Sequence, residues 1–171
     1  MTKYVAALFL IGCIFLSSCA APAKVEVKNV LDLKKEIDAN NIVIVTDAAK
    51  RFYGDKFPKA FTGRLLEQTQ FSNKKICLLT YIEFVRSEYN RPKRKNDFSN
   101  YVFVFIRSYG SDNTGPYGIT KYINYVMEVK FLDQEPFLLQ QLALYPGSGE
   151  KETGNELANT VFRELNQRNL F

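Results

Sequence analysis

The 171-residue sequence contains no histidine, an absence that excludes whole classes of chemistry. Ser-His-Asp and Cys-His catalysis both need the imidazole base, and so do metal sites with imidazole ligands. The triplet Gly147-Ser148-Gly149 does not match the elbow that presents a nucleophilic serine in hydrolases. A glycine-rich phosphate loop is also missing. We therefore predict a protein that is not an enzyme and that uses no metal and no cofactor.

Cysteine is scarce as well, with Cys13, Cys19 and Cys77 as its three occurrences. Cys13 and Cys19 belong to the amino-terminal apolar run and the small residues behind it. Cys77 is then left without a partner, which excludes a disulfide framework. Because it lies inside the apolar segment 76–85, we predict that Cys77 is a small buried core residue.

Long hydrophobic runs are missing too. The longest, Tyr4 to Leu16, has 13 residues, whereas a bilayer-spanning helix needs roughly 20. Lys3 precedes this run, and Ser17-Ser18-Cys19 follows it. A positive start, a short apolar centre and small residues at the end form the layout of a secretory signal peptide.

Leu16-Ser17-Ser18-Cys19 resembles the lipobox of bacterial lipoprotein precursors. The resemblance implies that residues 1–18 are a signal peptide and that Cys19, carrying diacylglycerol and further acyl chains such as palmitate, anchors the protein in a membrane. Several chains anchor a protein stably, whereas a single chain binds only marginally. Ala20 in place of aspartate implies the outer membrane, facing the periplasm, in a cell that has two membranes. Residues 19–28 would be the lipidated cysteine and tether, and 29–171 a single domain.

The 152 residues that follow Cys19 are enough for one domain with a proper core. They carry 22 basic and 18 acidic residues, a formal charge of +4. This mild excess favours contact with an anionic surface and is too small to indicate a nucleic-acid partner.

The hydrophobic pattern predicts an α+β fold, a two-layer sandwich with helices on one face of a mostly antiparallel sheet of about five strands. The expected order is β-α-β-β-β-β-α, with a further helical turn over 31–39 and an edge strand around Val25 and Val27. Short connections between successive strands favour hairpins. The main strands are predicted at 42–45, 76–85, 101–109, 122–132 and 137–145.

Two helices are indicated by apolar residues at intervals of four. The first follows the N-cap candidate Asp55 and presents Phe57, Phe61 and Leu65. The second starts with a capping box of Thr153 and Glu156 and presents an apolar stripe of Leu157, Val161 and Leu165.

The densest charge is a basic loop between two predicted strands, in which we select Arg91, Lys93, Arg94 and Lys95 as candidate contacts to an anion or a partner. Arginine offers a bidentate fork and lysine a point charge to phosphate-bearing lipid or to an acidic protein. The alternative is a solvated hairpin tip that protects strand edges from aggregation.

An aromatic stripe of Tyr101, Phe103, Phe105 and Tyr109 lies on one side of its predicted strand. If helices cover only the other side, these aromatics form an exposed docking face for a protein or for acyl chains. The alternatives are that another segment covers them or that they are themselves core residues.

These features favour a membrane-anchored envelope lipoprotein that acts as a binding or accessory subunit. Its partner would be an envelope protein or an anionic amphiphile. The order of elements resembles small envelope-assembly lipoproteins, a likeness of fold that says little about function. Two alternatives stay open: a carboxylate-dependent hydrolase acting on envelope glycan, and a structural subunit of a secretion or assembly machine.

Overall fold

The computed structural model describes residues 21–33, 37, 39–47, 54–89, 101–112, 122–132, 134–147 and 149–171. These residues form six strands and three helices, which confirms the predicted α+β fold. The strands are β1 (Lys24–Asp32), β2 (Asn41–Thr46), β3 (Lys75–Thr80), β4 (Tyr101–Asp112), β5 (Tyr122–Phe131) and β6 (Leu138–Tyr145). The helices are α1 (Lys56–Thr69), α2 (Tyr81–Tyr89) and α3 (Glu150–Asn166).

The six strands form one open sheet in the order β1-β6-β5-β4-β2-β3. Strands β4, β5, β6 and β1 pair antiparallel with one another in this order, whereas β2 runs parallel to both β3 and β4. The predicted hairpins therefore hold for β4–β5 and β5–β6. The predicted hairpin between β3 and β4 is wrong, because β2 lies between these two strands.

The main core lies between one face of the sheet and the pair α1 and α3. Along β5, buried and half-buried residues alternate, as expected for a strand with one face on the core. The predicted helix stripes are buried against this face. They comprise Phe57, Phe61 and Leu65 of α1 and Leu157, Val161 and Leu165 of α3.

Helices α1 and α3 approach each other closely at Gly154. A Cβ atom at this position would lie 2.6 Å from the backbone oxygen of Phe57 and 3.1 Å from the Cβ of Ala60. Only glycine therefore lets α3 contact the first turns of α1. Further along, Asn159 of α3 accepts hydrogen bonds from Arg64 and Gln68 of α1.

Strand β3 is shorter than predicted, because the chain turns into α2 at Tyr81. Thr80 and Glu83 form a capping box at this point. The Glu83 carboxylate accepts hydrogen bonds from the Thr80 backbone N–H (2.7 Å) and hydroxyl (2.8 Å), and the Glu83 N–H donates to the Thr80 hydroxyl (3.2 Å). These bonds satisfy backbone donors at the helix start, so the predicted continuation of the strand to residue 85 is wrong.

Helix α2 lies on the face of the sheet opposite α1 and α3. Its Phe84 packs edge-to-face on Phe103 and Phe105 of β4, together with buried Val43 and Val45 of β2. The topology requires this arrangement. The connection through α1 leads from β2 to the sheet edge, and the connection through α2 leads back past β2. Crossovers of the same hand that run in opposite directions lie on opposite faces.

The amino-terminal part of the domain also differs from expectation. Strand β1 starts at Lys24, which confirms the predicted edge strand around Val25 and Val27 and places residues 24–28, predicted as tether, in the sheet. It continues to Asp32, so the helical turn predicted from residue 31 is wrong at its start. The β1 end is held by a polar network in which buried Gln140 donates to Asn29 (2.6 Å) and Glu164 (2.8 Å).

Helix α3 begins three residues before the predicted capping box. Gly149, in extended conformation, is its N-cap, and Thr153 lies buried in the first turn. The Thr153 hydroxyl accepts a hydrogen bond from the Gly147 N–H (3.1 Å) and donates to the Gly149 carbonyl (2.8 Å). Thr153 thus fixes the loop that precedes the helix.

We predict opposite effects of two glycine-to-alanine substitutions. Gly154→Ala should lower the free energy of unfolding by about 1–3 kcal/mol, since the new methyl group meets the α1 backbone. Gly63→Ala should raise it by about 0.5–1 kcal/mol, because the exposed position has open space around its Cβ and alanine favours the helix. Urea unfolding monitored by circular dichroism measures both. Equal effects of the two substitutions would contradict the packing at Gly154.

We also predict that the stability of α2 depends on pH through Glu83. Its hydrogen bonds from Thr80 hold the pKa of this carboxyl below its ordinary value. The contribution of the carboxylate is therefore complete above the ordinary pKa and is lost as the pH falls through the lowered one. Hydrogen exchange of the α2 amides measures this loss of protection.

Two variants serve as controls for the capping box. Glu83→Gln keeps a hydrogen-bond acceptor, so it should retain much of the protection of α2 and remove its acid dependence. Thr80→Ala should cost about 1 kcal/mol of local stability at neutral pH. If the acid dependence persists in Glu83→Gln, another group is responsible for it.

Candidate binding surface

Several predicted site residues lie outside the residues that the structure describes. These are the lipidation candidate Cys19 and the basic-loop residues Arg91, Lys93, Arg94 and Lys95. The roles assigned to them stay predictions. Helix α2 ends before the basic loop, at Tyr89, and strand β4 begins after it, at Tyr101.

The predicted aromatic docking face is covered at its centre. Phe103 and Phe105 are only 2% and 7% exposed. Their rings stack at 6.2 Å, and the ring of Phe84 lies 5.8 and 5.3 Å from them. These two residues form a second small core instead of an exposed surface, because the unpredicted helix α2 covers them. Of the remaining stripe, Tyr101 is half-buried and Tyr109 is exposed.

On the side that α2 does not reach, a cluster of charged residues borders this second core. The Glu128 carboxylate, mostly buried, binds Arg107 at 2.7 Å and Lys130 at 2.9 Å. Both cations also lie over the Phe105 ring, at 5.8 Å for Arg107 and 5.4 Å for Lys130. Cations are attracted to the faces of aromatic rings. With two cations and one carboxylate, the cluster carries one positive charge in excess.

Beyond this cluster, the same side of the sheet is open. In the described part of the chain, α2 is the helix on this side, and it packs over β2 and β3 and against the phenylalanines of β4. We call the remainder the open face. It is formed by the outward side chains of β5, β6 and β1 together with Arg107. They are Tyr122, Asn124, Val126, Glu128 and Lys130; Leu139, Gln141, Ala143 and Tyr145; and Lys24, Glu26 and Lys28.

One end of the open face carries a cluster of two tyrosines and an ion pair. The rings of Tyr122 and Tyr145 lie 5.7 Å apart. Glu26 binds Lys24 at 2.7 Å and accepts a hydrogen bond from the Tyr145 hydroxyl at 3.1 Å. These bonds lower the pKa of Glu26 and raise those of Lys24 and Tyr145. Lys24 and Glu26 are therefore both charged at neutral pH, and the Tyr145 hydroxyl keeps its proton.

The sequence alone did not reveal this cluster. Its members come from β1, β5 and β6, and the pairings Lys24↔Tyr145 and Ile123↔Leu144 bring them together. Alternation along each strand indicated which side chains share a face. The register between strands, which decides the neighbours, depends on the fold.

The chain enters the sheet from the helix side. The Ala23 N–H donates to Glu152 of α3 at 3.3 Å, and a Cβ at Gly147 would lie 2.6 Å from the Ala23 nitrogen. Pro22 and Ala23 line an open groove of about 520 Å³ against α3. Its other lining residues are Gly149, Lys151, Glu152, Asn155, Glu156 and Asn159. Pro22 and Ala23, directly before β1, thus lie on the side opposite the open face.

This groove fits a phosphate group poorly, because it presents two carboxylates and one lysine. At the carboxyl end of β2, Asp47 accepts hydrogen bonds from the backbone N–H and hydroxyl of Ser108, which joins β2 to β4. Within the described ranges, no group of three or more acidic or cysteine residues could hold a metal ion. Cys77 is exposed on β3, so its predicted place in the core is wrong.

None of the helices in the described part of the chain is both long and apolar enough to cross a membrane.

No family model and no curated protein match the chain. Among solved structures, the chain is similar to a variant of the PelC dodecamer from Paraburkholderia phytofirmans, with 10% identity and a TM-score of 0.42, over 83% of this chain and 98% of that chain. A second PelC dodecamer from the same organism has 6% identity and a TM-score of 0.41, over 85% of this chain and 96% of that chain. Similarity of this degree carries no argument about function or assembly.

Proposed function

We propose that this protein is a lipid-anchored accessory subunit of the bacterial envelope that binds an anionic partner protein through its open face. Cys19 carries the lipid anchor in this proposal. The protein performs no catalysis of its own. The basic loop of residues 91–95 adds positive charge to the same partner contact.

The observation that carries this proposal is the position of Pro22 and Ala23 on the helix side of the sheet, a few residues after Cys19. Pro22 and Ala23 lie against α3, so the described chain reaches β1 from the helix side. Three or four residues span roughly 10–14 Å. A lipidated Cys19 would therefore hold the helix side close to the membrane. The open face would point away from the membrane, where a protein of the periplasm can reach it.

The charge of the open face supports an anionic partner. Four cations, Lys24, Lys28, Arg107 and Lys130, stand against the two carboxylates Glu26 and Glu128. Complementary charge accelerates association and selects the partner more than it raises the affinity. Between the charges, Val126, Leu139 and Ala143 give the face an apolar centre suited to a flat protein surface.

We predict that Lys28→Glu reduces partner capture about fivefold or more, because it reverses an exposed charge in the middle of β1. The measurement is a pull-down of the lipidated protein from crosslinked membranes, followed by quantitative mass spectrometry. Lys59→Glu on the exposed side of α1 is the matched control and should capture the partner normally. Cys19→Ala should lose both the membrane and the partner. Melting temperatures should be equal for Lys28→Glu and Lys59→Glu.

Different outcomes separate the alternatives. Equal losses in Lys28→Glu and Lys59→Glu would place the contact away from the open face. Recovery of lipid or glycan without a stoichiometric protein would contradict the proposed partner and favour an anionic amphiphile or a glycan substrate. A large complex of fixed stoichiometry, retained in both variants, would favour a structural subunit of a secretion or assembly machine.

A further inference from the structure

The two edges of the sheet differ in how they are protected. Strand β1 carries Lys24, Glu26 and Lys28 and a bulge between Asn29 and Leu31, the usual devices that prevent edge-to-edge pairing. Strand β3, at the other edge, has Lys75 as its one charged residue, followed by Ile-Cys-Leu-Leu-Thr. Among the described residues, β3 pairs with β2 and has nothing on its outer side.

Exposed apolar side chains surround the same edge. Eight large hydrophobic residues are exposed in the described part of the chain. Five of them lie in the elements before and after β3, namely α1 with the turn that follows it, and α2. They are Leu66, Phe71, Tyr81, Ile82 and Val85. Helix α2 buries Phe84 against the sheet and leaves the rest of its apolar stripe in solvent.

Leu66 lies on the side of α1 away from α3. Arg64 and Gln68, two residues before and after it, reach Asn159 of α3. At 100° per residue, Leu66 is turned roughly 160–200° from both. The side of α1 away from α3 is the side toward β3, because α3 lies over β1 and β6 at the opposite end of the sheet.

We propose that β3 pairs edge to edge and antiparallel with β3 of a second copy of this chain, which joins two sheets into one of twelve strands. Antiparallel pairing places the two Lys75 residues at opposite ends of the contact, so like charges do not meet. A two-fold axis perpendicular to the sheet also brings both α2 helices, with their exposed Tyr81, Ile82 and Val85, to the same side of the joined sheet.

The size of the apolar surface fits a stable dimer. The five exposed side chains present on the order of 500 Å² in each copy, given the usual size of such side chains. Together with the strand backbone, two copies reach the lower end of the range for specific interfaces, about 1,200 Å².

Symmetry places Cys77 at the centre of the contact. An antiparallel pair of identical strands requires one residue to face its own copy, and the central residues of β3 are Cys77 and Leu78. If Cys77 faces Cys77, their Cβ atoms lie about 5 Å apart, and if Leu78 faces Leu78, the cysteines are diagonal neighbours at about 7–8 Å. Cys77 is exposed, so either register places two thiols within reach of a short crosslinker.

The test uses the full lipidated chain purified in detergent. Light scattering should give two copies, and a bis-maleimide about 8 Å long should link them, with the product absent in Cys77→Ser. Val85→Glu should raise the dissociation constant of the dimer at least about tenfold, because it buries an unpaired charge. Leu33→Glu, at a residue 57% exposed against 45% for Val85, should leave the dimer unchanged. Tyr81→Lys repeats the test if Val85→Glu melts at a lower temperature.

The proposal is overturned by any of three results. These are a monomeric wild-type chain, a dimer without a Cys77 crosslink, and a dimer weakened equally by Val85→Glu and Leu33→Glu. A monomer that instead crosslinks another protein through Cys77 would show that β3 accepts a foreign strand.

Discussion

Strand β2 is the constraint on which the rest of the structure depends. Its four central residues alternate between the two cores, Ile42 and Ile44 toward α1 and α3, and Val43 and Val45 toward α2. Because β2 runs parallel to both of its neighbours, β2, β3 and β4 all point the same way. Neither the connection from β2 to β3 nor the connection from β3 to β4 can therefore be a hairpin. Each must contain a crossover, and the two crossovers run in opposite directions. One helix is therefore required on each face of this half of the sheet.

The other half of the sheet follows a different rule. Strands β4, β5, β6 and β1 are joined antiparallel, so their connections need no covering helix on the second face. Helix α3 alone returns over β6 and β1, on the side of the main core. Helices thus cover both faces of the half that contains β2 and one face of the half that contains β1. The open face follows directly from this asymmetry, and so does the apolar surface of α2 beside β3.

The sequence was sufficient where one residue pattern decides the outcome. The β-branched run from Ile42 to Val45 indicated a strand buried on both faces, and the spacing of Phe57, Phe61 and Leu65 indicated a helix. Between residues 76 and 85, continuous apolar character favoured a strand and concealed the start of α2. The signal that could have revealed the helix is the capping box of Thr80 and Glu83. Whether Phe103 and Phe105 are buried depends on a helix about twenty residues earlier in the chain. The local pattern around the two phenylalanines gives no sign of this cover.

If Cys19 carries the proposed anchor and β3 the proposed dimer contact, the two together restrict how the protein can lie on a membrane. A dimer whose two lipids enter one bilayer needs its two-fold axis perpendicular to the membrane, and antiparallel pairing of β3 sets that axis perpendicular to the sheet. The joined sheet would then lie along the membrane. Since Pro22 and Ala23 leave on the helix side, α1 and α3 would lie between the sheet and the lipid. Both open faces would point to the periplasm, one toward each end of the joined sheet, with the two α2 helices between them. Under both proposals the sheet lies along the membrane, and the position of Pro22 and Ala23 on the helix side decides which face is toward the lipid.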